Sequence, residues 1–271
     1  MNNKLNFQEL FEGFQNTPFL WKASIIYNLE QFCTKPTSHQ FTQGSEQKKL
    51  RLGKWVEKFV AFQLEQDACI KILEENLQIK DHKITIGELD LLLLKGEQPI
   101  HLEIIYKFYL YDSKKNQTNP LNYWVGPNQN DALIYKLKKL KEKQLPRLYD
   151  TNTIAALKSY PFDINSIKQQ VCFKAQLFLP YENQKIDINP LNSDCITGWH
   201  LNFEKINELR NFQFHIPEKL EWLCSPKTLV NWLFFEEAKT KIKIQIDNKR
   251  SPLCWIKNNN NELQKCFITW W

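Results

Sequence analysis

At 271 residues, with 42% hydrophobic, 13% aromatic and 24% charged side chains, the chain can bury a core as one large domain or two modest ones, which excludes a mini-protein, a disordered tail and a fibre. Thirty-six Lys and Arg against 30 Asp and Glu leave a net charge of +6, which permits a polyanionic partner without requiring one. Glycine is scarce at seven residues, and the nearest pairs, Gly44 with Gly53 and Gly87 with Gly96, lie nine positions apart; neither a dinucleotide fingerprint nor a Walker loop fits, and no nucleotide cofactor is expected.

Residues 1–35 place Leu10, Phe11, Phe14, Phe19, Leu20, Ile26 and Leu29 at helical spacing, and a polar stretch follows from Thr34 to Gln47. Leu52, Trp55, Val56, Phe59, Val60 and Leu64 then mark an amphipathic helix over 50–66. Three extended segments are predicted next: a short one over Asn76–Lys80, then Ile84–Leu94 and Ile100–Leu110 as a hairpin turning at Lys95–Pro99. Asp131–Leu145 reads as a lysine-rich helix ended by Pro146, with Asn130 or Asp131 as its cap. A short helix fits the long connection to a strand over Val171–Leu179. Beyond residue 180 the pattern predicts a helix near Phe203–Arg210, an alternating strand over Lys241–Ile246, and strand-like pieces at Leu253–Ile256 and Cys266–Trp271. The helix, three strands, helix, strand order over 50–180 is an α/β arrangement.

Glu88, Asp90, Glu103 and Lys107 interrupt the two apolar hairpin strands. Because side chains alternate along a strand, Glu88 shares a face with Asp90, and Glu103 shares one with Ile105 and Lys107. If the two faces coincide, Asp90 and Glu103 form a pair of hard oxygen ligands suited to Mg²⁺ or Mn²⁺, and Lys107 adds a positive charge for phosphodiester cleavage. The alternative is that Glu88, Asp90, Glu103 and Lys107 lie on a solvent-facing side of an antiparallel sheet, with Glu103 and Lys107 making ordinary surface pairs. Glu57 is similarly open, pointing either inward as a further acid or into solvent.

Seven dispersed cysteines with no C-x-x-C spacing, and five histidines with no H-E-x-x-H, argue against a disulfide framework or a zinc site. No leader-like apolar run opens the chain and no uncharged apolar stretch approaches 18 residues, so the expectation is a reduced, soluble, cytoplasmic protein without a membrane span. With only four arginines, contact with nucleic acid is expected to follow the backbone rather than read bases, through Lys136, Lys139 and Lys143 on the basic helix; the alternative is a solvated helix face.

The runs Arg51–Phe59, Gly87–Leu92 and His101–Leu110, with Trp124–Asn128, Asp131, Gln144–Pro146 and Gly198–Trp199, resemble the bacterial family catalogued as domain of unknown function 1853. That family in turn resembles the PD-(D/E)XK phosphodiesterases. The resemblance implies a restriction-endonuclease-like core over 50–180, with a helical N-terminal extension over 1–49 and a mixed accessory region over 181–271 packed on the core. It also implies a Mg²⁺-dependent nuclease with Asp90 and Glu103 as metal ligands, Glu57 as a helix-borne acid and Gln144 as a site residue. The superfamily lysine normally follows the acidic ligand by two residues, where this chain has Ile105; Lys107 comes one strand step later on the same face. The competing expectation is a nuclease-like scaffold that binds nucleic acid or a protein without turnover.

Overall fold

Asn6 accepts hydrogen bonds from the backbone N–H groups of Gln8 and Glu9, and this cap opens α1 (Phe7–Asn16), which buries Leu10, Phe11 and Phe14. The computed structural model describes residues 6–22, 26–42 and 50–271. In chain order there follow α2 (Leu52–Glu65), β1 (Ile70–Asp81), β2 (Ile84–Lys95), β3 (Gln98–Tyr111), β4 (Trp124–Val125), α3 (Leu133–Lys139), α4 (Thr151–Leu157) and β5 (Lys168–Pro180). The remainder holds β6 (Ile196–Asn202), β7 (Gln213–His215), α5 (Phe235–Asp247), β8 (Leu253–Lys257) and β9 (Leu263–Thr269). The protein is therefore α/β with a large mixed sheet.

The chain divides into two compact units, each discontinuous in sequence: one of Phe19–Tyr106 with Tyr135–Lys174, and one of Met1–Pro18, Lys107–Ile134 and Ala175–Trp271.

In the first unit, β1 and β2 form a long antiparallel ladder and β2 pairs antiparallel with β3. Ile79, Leu89 and Leu92 pack with Leu148, Leu157 and Ile167. Helix α2 buries Trp55, Val56, Phe59 and Val60; fully burying an aliphatic side chain of this size contributes about 1.5–3 kcal/mol. In the second unit β6 runs parallel to β5 and β9, while β8 is antiparallel to β9 and β7. Ala238 and Ile242 of α5 join Trp199, Leu201, Phe214, Ile256 and Ile268 in its core.

The predicted element order over 50–180 is found, with β1 longer than expected and the two-residue β4 added. Four local expectations are corrected. Helical spacing does not continue past α1: Pro18 cannot extend a helix, and the backbones at Phe19–Leu20 and Gln31–Phe32 pair instead with β5 (Leu20 N–H to Phe173 O, Phe32 N–H to Val171 O), while Tyr27 and Asn28 are left-handed. Residues 23–25 of the predicted helical stretch, and 43–47 of the predicted loop, lie outside the described residues. Lys241–Ile246 is helical, not extended, because Ala238 and Ile242, four residues apart, are the buried positions while Ile244 faces solvent. Glu237–Lys241 and Lys243–Asp247 are i,i+4 ion pairs on its outer surface. Phe203–Leu209 forms a 3₁₀ helix, and strands β6 and β7 were not anticipated. Finally, the basic helix does not run evenly to Leu145: α3 widens into a π-turn over Leu140–Gln144 and tightens to 3₁₀ over Leu145–Tyr149. Pro146 has no N–H to give and its ring crowds the preceding turn, which loosens the ladder just before it.

Candidate functional site on one face of the first unit

The register of the β2–β3 pair sets Leu91 opposite Leu102 and Leu92 opposite His101. The pairing ends at Leu91–Leu102; Asp90 and Glu103 are the next residues on each strand and lie close enough for the Glu103 carboxylate to act on Asp90, as residues projecting to one side of the sheet do. On the other flank of β2, Gln78 of β1 is opposite Glu88, and Asn76 falls opposite Asp90 by the same count. Leu89 and Leu91 are buried on the reverse face. The two faces left open by pattern alone thus coincide.

Glu103 lies at the bottom of this cluster, with a side chain that is 0% exposed. Its Oε2 accepts from Gln144 Nε2 at 2.5 Å, and its Oε1 is 3.2 Å from Nε2 of the equally buried His101. Gln169 Nε2 donates to the Leu145 carbonyl and lies 3.2 Å from His101 Nδ1. Because an amide nitrogen can only donate, Nδ1 is the accepting nitrogen, which puts the His101 proton on Nε2, aimed at Glu103. Asp90 Oδ2 accepts from the backbone N–H of Ile104 at 2.8 Å. Burial and the adjacent Glu103 carboxylate nevertheless push the Asp90 pKa up to about 7, with Glu57 adding to the rise and Lys136 opposing it.

Gln144 reaches Glu103 from the π-turn and is itself held by Lys136, whose Nζ donates to Gln144 Oε1 at 2.7 Å. In a regular α-helix residues eight apart are about 80° out of phase. The wider turn, with less rotation per residue, brings Lys136 and Gln144 back onto one side. The π-turn is thus what aims both at the acids.

On the opposite margin Lys54 of α2 donates to Glu57 Oε2, Asn76 Oδ1 and Glu88 Oε1. The two carboxylates hold the Lys54 ammonium above the ordinary lysine range although burial works against it. Burial in turn raises the Glu57 pKa, with Lys54 lowering it and Glu88 and Glu103 adding to the rise. Arg147 donates from Nη1 to the Ile86 carbonyl on the outer part of β2. A Cβ on Gly87 would stand 1.3 Å from that Nη1, so the guanidinium lies directly over the glycine.

Asp90, Glu103, Glu57 and Gln144 are therefore gathered in the first unit. Lys107 belongs to the second unit, where its ammonium is bound to Asp131 at 2.5 Å. Lys136 is half-buried over the acids rather than turned outward, whereas Lys139 and Lys143 are exposed. Residues beyond those predicted for the site are Lys54, Asn76 and Gln169, and His101 joins them as a tautomer-fixed partner. His101 had a signal in its position two residues before Glu103 on one strand face, and Lys54 had one in its i,i+3 spacing to Glu57 on α2; Asn76 stands far from the acids in sequence.

Among the described residues, no group of three or more His, Cys, Asp or Glu side chains is set to hold a metal ion. Mg²⁺, which commonly takes one or two carboxylates and completes its shell with water and substrate oxygens, is compatible with the Asp90–Glu103 pair, a donor set of hard oxygens with excess negative charge. No helix among the described residues is long and apolar enough to cross a membrane. No curated protein and no solved structure is significantly similar to the chain. The sequence pattern of the family described as Domain of unknown function (DUF1853) matches residues 21–267, nearly the whole chain, and the protein belongs to that family.

Proposed function

We propose that the first unit is a divalent-cation-dependent phosphodiesterase site of the PD-(D/E)XK kind acting on nucleic acid. The observation that carries this reading is the side-by-side placement of Asp90 and Glu103 on one sheet face, where like charge and burial push Asp90 up to about 7. A buried acid and a half-buried one held together without a cation between them are unfavourable, and such an arrangement fits a cation as its counterpart. A bound Mg²⁺ or Mn²⁺ would supply Lewis acidity and a water of lowered pKa.

Asp90 and Glu103 would hold the ion. His101, with its proton on Nε2, and Gln144 fix the rotamer of Glu103 by occupying one lone pair on each of its oxygens, and a carboxylate oxygen has a second to offer. Lys136 takes the role of the positive charge near the acids, which sequence assigned to Lys107, since its charge acts on Asp90. Glu57 sits at the edge as the helix-borne acid, and the exposed Lys139 and Lys143 provide sequence-independent contact with phosphates.

One observation favours the second reading, a scaffold that binds without turnover: Glu103 is fully sealed, with hydrogen-bond partners on both oxygens. Isothermal titration of Mg²⁺ and Mn²⁺ into the full chain, alongside cleavage of labelled single- and double-stranded DNA and RNA, separates the two. Under the phosphodiesterase reading, binding and cleavage are both present and both vanish in Asp90→Ala and Glu103→Ala. Salt-sensitive nucleic acid binding that is indifferent to metal and to both substitutions supports the scaffold.

A further inference from the structure

The interruption of the basic helix shapes a second open feature of the first unit, a cavity of about 330 Å³ lined by Tyr27, Lys141, Leu145, Pro146, Tyr149 and Gln169. Cavities that take small molecules run from about 300 to 1,000 Å³, so this one has room for a single flat ring with its sugar rather than a longer segment. Lys141 lies in the π-turn, and Leu145, Pro146 and Tyr149 lie in the 3₁₀ turn that follows. Tyr27 is held in the left-handed region with φ of 53°, which a bulky residue adopts only where its surroundings impose it, and such positions cluster at ligand sites.

Three groups here have chemistry to offer a ligand. Tyr149 is 48% exposed and presents an aromatic ring to solvent. Lys141 Nζ stands 5.2 Å from the Tyr27 ring centroid and has no carboxylate partner among the described residues, so its charge is available to an anion. Gln169 gives its Nε2 protons to the Leu145 carbonyl and His101 Nδ1, and its Oε1 has no hydrogen-bond partner among the described residues. An exposed ring, an unpaired ammonium and an unused carbonyl acceptor match a nucleotide, with a base to stack, a phosphate to neutralise and a ring N–H to accept from. Gln169 also ties the cavity to the acids: its Nε2 is 3.2 Å from His101 Nδ1, and His101 Nε2 is 3.2 Å from Glu103 Oε1, so one imidazole ring separates the cavity wall from Glu103. A base inside a duplex must be unpaired and unstacked before it can enter a cavity, a cost that is smallest for a single strand.

We propose that this cavity receives one unstacked base of a single strand, with Lys141 on the adjacent phosphate, so that single-stranded nucleic acid is the substrate class of the neighbouring acids. The inference rests on the phosphodiesterase reading, and metal separates the two, because base binding needs none. Fluorescence anisotropy of the full chain in EDTA compares a short labelled oligothymidylate, whose bases carry an N3–H, with the same oligomer made abasic and with its duplex on oligoadenylate. Wild type should bind the thymidylate strand about tenfold more tightly than either. Tyr149→Ala should lose about tenfold on the thymidylate strand and nothing on the abasic one. Lys141→Gln should weaken both strands and reduce the slope of log K against log salt by about 0.7. Tyr135→Ala, which removes a 69% exposed tyrosine outside the cavity, should bind as wild type does. Equal affinity of wild type for thymidylate and abasic strands, equal losses in Tyr135→Ala and Tyr149→Ala, or no binding at all overturns the inference; Mg²⁺-dependent cleavage alongside any of these leaves the phosphodiesterase reading standing. Base-dependent binding in EDTA with no cleavage in Mg²⁺ or Mn²⁺ upholds the base cavity and overturns that reading.

Discussion

Asp90→Asn should make the metal-free protein more stable at alkaline pH. The folded structure pushes this carboxyl from its ordinary 3.8 up to about 7, through burial first and the neighbouring Glu103 carboxylate second. A carboxyl whose pKa is raised on folding binds its proton more tightly in the native state, so its charge opposes folding. The penalty is fully present above about pH 7 and fades as pH falls through 7 toward 3.8. A rise of about three pKa units corresponds to about 4 kcal/mol. Asp90 is only half-buried and the repulsion is shared with Glu103, so about 2 kcal/mol is the gain to expect from neutralisation. Asparagine keeps an acceptor for the Ile104 N–H, so the backbone bond survives the change. Urea unfolding in EDTA at pH 8 and at pH 5 tests this: Asp90→Asn should gain about 2 kcal/mol at the higher pH and much less at the lower. An equal increment at both values, or a loss at pH 8, would refute the claim that the two acids repel each other on one face. Mg²⁺ should reverse the order by stabilising only the wild type, as expected of an acid pair retained for binding at the expense of stability.

Two further predictions concern single contacts. Gly87→Ala should cost about 1 kcal/mol by displacing the Arg147 guanidinium and its bond to the Ile86 carbonyl. In an Arg147→Ala background the same change should be nearly neutral, and an undiminished cost there would show that the backbone rather than the arginine forbids the methyl group. In the second unit, burial lowers the His200 pKa to about 4 against the help of its bond to the Tyr111 carbonyl. Because a lowered histidine resists protonation when folded, this group removes stability as pH falls from about 6.5 toward 4. A ¹H–¹⁵N titration should find the His200 ring neutral at pH 5.5, and an apparent pKa above 6 would contradict its burial.

Much of the site was readable because strands impose a period of two. Glu88 with Asp90, and His101 with Glu103, had to share faces whatever the tertiary arrangement. Whether those faces coincided was set by register, a non-local quantity that depends on which residue of β2 stands opposite which residue of β3. The failure at Lys241–Ile246 has the opposite origin: a run of six alternating residues satisfies strand spacing, while Ala238 and Ile242 satisfy helical spacing, and packing in the second unit's core selected the latter. The surroundings of the lysines were likewise set by non-local contacts. Strand position alone favoured Lys107, yet Asp131 provides that ammonium with a partner, and the π-turn before Pro146 directs Lys136 toward the acids.

The sequence by itself determined the class of protein and the chemistry at its disposal. Its glycine spacing ruled out phosphate cradles, its strand periodicity grouped the acids, and its motifs marked the family. Only the tertiary structure decided how those acids are partnered, Glu88 by the charge of Lys54 reaching from a helix 34 residues before it, and Glu103 by a hydrogen bond from the neutral Gln144 amide on a widened turn 41 residues after it. Local patterning is written residue by residue. Charge compensation in a buried cluster depends instead on distances through space, which only the packed chain defines.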